Sequence, residues 1–74
     1  MNQLTNLPRG LSAVAGNRDL INTVEFAKVF NVQPQTVRKN YSIEGEVYGL
    51  KPIKIGNRLL WSVQQIAEKL KDAI

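Results

Sequence analysis

The 74-residue sequence predicts a mainly α fold with a small β-hairpin, and three observations predict it. Apolar residues recur at helical spacing over 23–30 and again over 63–70, each stretch preceded by a residue able to cap a helix. Only residues 31–33 separate the first stretch from a helix that starts at Pro34, and so short a turn makes the two helices cross steeply. Gly56-Asn57 lies between two short alternating apolar runs, which is the signature of a two-residue hairpin turn.

Taken in order, residues 1–19 mix Asn, Pro, Gly, Ser and Arg without periodicity, and read as a flexible arm with a short helical turn around Leu11–Ala15. The ordered domain is expected over 20–74. Asn22 caps the first helix, with Glu25 three residues on to reach back to the cap's own N–H, a capping box with Asn in place of Ser or Thr. Thr23, Phe26, Ala27 and Phe30 form its inner stripe, and Asn31 can close it in a left-handed conformation. On the second helix Val37 and Tyr41 point inward together. Gln35, Thr36, Arg38, Lys39 and Ser42 occupy the opposite face.

Ser42–Pro52 reads as a loop whose Val47, Tyr48 and Leu50 fold it down onto the domain. In the hairpin, Ile53 and Ile55 share one face of the first strand, and Leu59 and Trp61 one face of the second. That arrangement leaves Lys54, Asn57 and Arg58 at the exposed face and tip, with Asn57 also serving the positive φ of the turn. Ser62 caps a last helix, with Gln65 completing a second box. Val63, Ile66, Ala67 and Leu70 form its apolar stripe, and its outer face alternates in charge.

Composition narrows the chemistry. An apolar content of 43% is too high for a disordered chain. Without cysteine or histidine the usual zinc sites and most nucleophilic catalysis are closed to this chain, so no enzyme, metal or cofactor is expected. Glu44 and Glu46 flank a glycine in a loop with no pocket to raise either pKa, which argues for solvation rather than acid–base catalysis. No apolar run is long enough for a membrane span, and the first residues lack the features of a signal peptide, so a cytoplasmic location is expected. The formal charge of +4 falls entirely within residues 28–58, while the segments on either side are neutral. A cationic centre between neutral flanks is the electrostatic pattern of a polyanion-binding surface.

Residues 21–71 resemble the small winged helix-turn-helix domains of phage and plasmid excisionases and of MerR-type regulators. The resemblance runs through Asn22-Thr23-Val24-Glu25-Phe26-Ala27, then Val32-Gln33-Pro34-Gln35-Thr36-Val37-Arg38-Lys39, then Ile55-Gly56-Asn57-Arg58 and Trp61-Ser62-Val63-Gln64-Gln65-Ile66. Gln33 stands where that family more often has a capping Ser, and the loop 42–52 is longer than a compact excisionase needs. The resemblance implies a second helix in the major groove and a wing on backbone or minor groove. The long dimerising helix and metal-binding cysteines of full MerR regulators are missing, which argues against a metal or drug sensor, and no small-molecule ligand is expected.

On that reading Arg38 is the candidate for reading guanine and Gln35 for adenine, while Thr36 and Lys39 hold phosphates. Lys54, Asn57 and Arg58 are the wing contacts. Trp61 alternates with Leu59 toward the last helix and is expected in the core. The expected function is sequence-specific double-stranded DNA binding, as an excisionase-like recombination accessory factor or a small transcriptional regulator. Its partners would be duplex DNA and, on it, an integrase or a second copy of the chain. The alternatives are a phage DNA-packaging recognition subunit and a protein-interaction adaptor on a winged-helix scaffold.

Overall fold

A computed structural model describes residues 7–73. Along the chain run α1 (Arg9–Ala15), β1 (Leu20–Asn22), α2 (Thr23–Phe30), α3 (Pro34–Glu44), β2 (Ile53–Ile55), β3 (Arg58–Ser62) and α4 (Val63–Ala73). The strands form one antiparallel sheet in the order β1-β3-β2. The fold is therefore helical with a three-stranded sheet rather than a lone hairpin. No helix among the described residues is long and apolar enough to cross a membrane.

Helix α2 starts as its sequence dictates. The Asn22 side chain accepts from the Glu25 N–H at 2.8 Å, and the Glu25 carboxylate accepts from the Asn22 N–H at 3.0 Å. Asn31 ends the helix in the left-handed region, φ 57°. Helix α3 has Pro34 in its first turn, and Gln33 at its N-cap makes no side-chain bond. The helix reaches Glu44, taking three residues assigned to the loop by their sequence. Gly45 then stops it at φ 75°, its N–H donating to the Tyr41 carbonyl at 2.7 Å. What remains of the loop folds inward as expected, with Val47 and Leu50 buried. At the start of α4 the Ser62 hydroxyl accepts from the Gln65 N–H at 3.2 Å, one arm of the expected box.

The core gathers Leu11, Ile21, Phe26, Val37, Val47, Trp61 and Ile66. Trp61 lies at its centre, with its ring centroid 4.1 Å from that of Phe26. Its indole N–H donates to the Thr23 hydroxyl at 3.2 Å, so the one polar atom of the ring is satisfied where it is buried.

Two elements differ from the sequence reading. The short helical turn expected around Leu11–Ala15 is present as α1 (Arg9–Ala15), but this part of the expected flexible arm is held in the core, where Leu11 and Ala15 are fully buried. Burying a leucine stabilises by about 1.5–3 kcal/mol, and this packing overrides a weak local signal. Residues 1–6 of the arm lie outside the described residues. Strand β1 is the second addition, pairing Ile21 with Trp61 and Asn22 with Leu60.

Arg18 ties α1 to α2. Its guanidinium donates to the carbonyls of Val14 at 2.9 Å and Ala15 at 3.1 Å, at the end of α1, and pairs with the Glu25 carboxylate. The Arg18 hydrogen bonds and then the Asn22 N–H hold the Glu25 carboxyl below its ordinary pKa. A depressed carboxyl stabilises the fold above its unfolded pKa of about 4.3 and loses that stabilisation as pH falls through the lower folded value. Acidification below that range is therefore expected to destabilise the domain, and Glu25→Gln to flatten this part of the dependence. Urea melts of both proteins across the acid range measure it. The same acid slope in Glu25→Gln would assign the dependence to other carboxylates.

Candidate nucleic-acid interface

Helix α3 buries Val37 completely and leaves Gln35, Thr36, Arg38 and Lys39 exposed, on the face that helical geometry assigns them. Lys54, Asn57 and Arg58 are exposed as well. Exposure alone does not make a site, and what the tertiary structure adds is convergence. Arg38 from α3 and Asn57 and Arg58 from the β2–β3 hairpin line one open depression of about 280 Å³. Asn22, Thr23 and Val24 at the start of α2 line it too, as does Leu59.

This convergence follows from the packing. Trp61 anchors β3 to Thr23, and the pairing of Asn22 with Leu60 lays β3 alongside the entry to α2. The hairpin end of β3 then stands next to the first turn of α2, and Arg38 of α3 lines the same depression. The lining contains two arginines and no carboxylate. Among the described residues the ion pair is Arg18 with Glu25, so neither Arg38 nor Lys39 is neutralised by Glu44 or Glu46. A larger depression, about 460 Å³, lies between the 49–51 loop and α4. Its Lys51 and Lys69 are matched by Glu68 and Asp72, so it offers a polyanion no comparable field.

The hairpin corrects two expectations. Strand pairing sets Ile55 opposite Arg58 and Lys54 opposite Leu59. Directly paired residues share a sheet face, so Arg58 lies with Ile53, Ile55 and Leu60, and Lys54 lies on the other face with Leu59 and Trp61. Lys54 and Arg58 thus do not act from one side, because a two-residue periodicity separates them once the register is set. The turn is the second correction. Positive φ falls on Gly56 (60°) and not on Asn57, which matches a type II′ rather than a type I′ turn. Asn57 is released from that conformational role, and its side chain lines the depression.

Gln35, Thr36 and Lys39 share the exposed face of α3 but do not line the depression, and neither does Lys54. Asn22, Thr23 and Val24 do line it, although their sequence marks them only as the start of a helix. Val24, a 43% exposed valine beside the inner stripe, was the available signal.

No family model matches this chain, and no curated protein or solved structure matches it either.

Proposed function

We propose that the domain is a winged helix-turn-helix that binds double-stranded DNA, with α3 in the major groove and the β2–β3 hairpin on backbone or minor groove. The observation that carries this reading is the meeting of Arg38 and Arg58 in one depression without a carboxylate. They come from elements separated by a loop and a strand, and each is free of an ion-pair partner among the described residues. Two cations in a lining without a carboxylate form a field that attracts a phosphate backbone. The three-residue turn between α2 and α3 and the hairpin that follows support the same reading. As an accessory factor for recombination or as a small transcriptional regulator, the chain would use this same surface.

The expected result is duplex binding with strong salt dependence. Neutralising about four to six phosphates gives a slope of log K against log[salt] near −4 to −5. Fluorescence anisotropy across several salt concentrations measures it, and a slope near zero would defeat the proposal.

A protein-interaction adaptor is the second reading. It is favoured by Ile53 and Ile55, exposed by 48% and 56% on the hairpin face that carries Arg58. An adaptor has no need of the cationic depression, so weak retention on heparin, lost at low salt, would support it over DNA binding.

A further inference from the structure

We infer that Ile43 reads the methyl group of a thymine in the major groove, an inference that rests on α3 being the DNA-facing helix. Ile43 is 69% exposed, more than any other large apolar side chain among the described residues. The exposed Ile53 and Ile55 sit together on the hairpin, whereas Ile43 stands alone within a polar helix face. The inward pair Val37 and Tyr41 sets the direction of the core, and a rotation of about 100° per residue places Lys39 directly opposite it. Ile43 then projects about 40° to one side of Lys39 and one turn further along. Gln35, Thr36, Lys39 and Ser42, all exposed, lie on that side of the helix, and Arg38, also exposed, projects about 140° from Ile43 at the other edge of the exposed arc. Glu44, the adjacent carboxylate, projects about 100° away from it.

The chemistry of the groove singles out one target. Base edges in the major groove present hydrogen-bond donors and acceptors throughout, and a single apolar feature, the C5-methyl of thymine. An isoleucine within an otherwise polar reading face gains nothing from phosphates or from the other base edges. Ile43 lies about 12 Å along the helix axis from Gln35. With a rise of about 3.4 Å per base pair, its thymine is expected within about three to four base pairs of the base that meets Gln35. Sequence preference at that position would come from packing instead of hydrogen bonding.

The test begins by selecting duplexes from a randomised pool with the wild-type protein at low salt. Each thymine of the selected site is then replaced singly by deoxyuridine, which removes only the methyl group, and binding is measured for wild type and Ile43→Ala. One replacement is expected to weaken the wild type about fourfold, the worth of one buried methyl-sized group. Ile43→Ala is expected to bind the thymine site more weakly and to be indifferent to that same replacement. Because Ile43 is exposed, the variant keeps its fold, which circular dichroism verifies. Tight wild-type binding with no replacement mattering, or an undiminished penalty in Ile43→Ala, would overturn the inference and leave DNA binding standing. Failure to enrich any duplex would overturn the DNA-binding reading itself.

Discussion

Trp61→Ala is expected to abolish cooperative folding. Removing a large buried aromatic costs about 3–5 kcal/mol, against a total stability of about 5 kcal/mol for so small a domain. Three losses coincide at this position. The contact with Phe26, at 4.1 Å between centroids, disappears. The Thr23 hydroxyl, in a residue only 8% exposed, loses its partner. The central strand β3 loses its anchor to the core, since Trp61 pairs with Ile21 of β1. Trp61→Phe is expected to fall between wild type and Trp61→Ala, because it keeps one aromatic ring but removes the indole N–H together with the volume of the second ring. Urea denaturation followed by far-UV circular dichroism distinguishes the outcomes. A folded, cooperative Trp61→Ala protein would show that the rings of Phe26, Phe30 and Tyr48 sustain the core by themselves. Since Trp61 holds the hairpin to the start of α2, its loss would also disperse the cationic depression.

The second large effect separates reading DNA from holding it. Arg38→Ala is expected to weaken binding to a cognate site by about 1–3 kcal/mol and to change binding to random DNA little, because a bidentate contact to guanine exists only where guanine is. Arg58→Ala is expected to weaken both equally and to flatten the salt slope by about one unit, the signature of a lost phosphate contact. Both side chains are exposed and line the same depression, so neither substitution disturbs the core. Competition titrations of each variant against both duplexes, at several salt concentrations, give the comparison. Equal losses on both duplexes for Arg38→Ala would make it a phosphate anchor, and base reading would then fall to the rest of α3 or to DNA shape.

The elements legible in the sequence are those whose signals are local. Helix α2 could be read because its capping box, its inner stripe and its terminal Asn31 all lie within ten consecutive residues. The hairpin turn was legible through Gly56, since a positive φ at that point favours a residue without a side chain. The core role of Trp61 followed from its alternation with Leu59. Helix α1 was legible as a short helical turn but not as part of the ordered core, having seven residues, an internal glycine and no side-chain cap. A helix that short has little stability by itself, and the burial of Leu11 and Ala15 supplies it. Strand β1, three residues long, has too few positions to display an alternation and exists through its pairing with β3.

The candidate site divides in the same way. By itself the sequence determined that the excess charge lies between residues 28 and 58, that Arg38 and Lys39 face outward from α3, and that Arg58 sits beside a tight turn. Each of these depends on spacing along one element. Only the tertiary structure decided that Arg38 and Arg58 line one depression with Asn22, Thr23 and Val24, and that Lys54 belongs to the opposite face of the hairpin. Those facts depend on strand register and on the Trp61–Thr23 contact, which links residues 38 positions apart. Periodicity specifies the direction of a side chain relative to its own helix or strand, whereas the position of one element against another is set by how their buried faces pack.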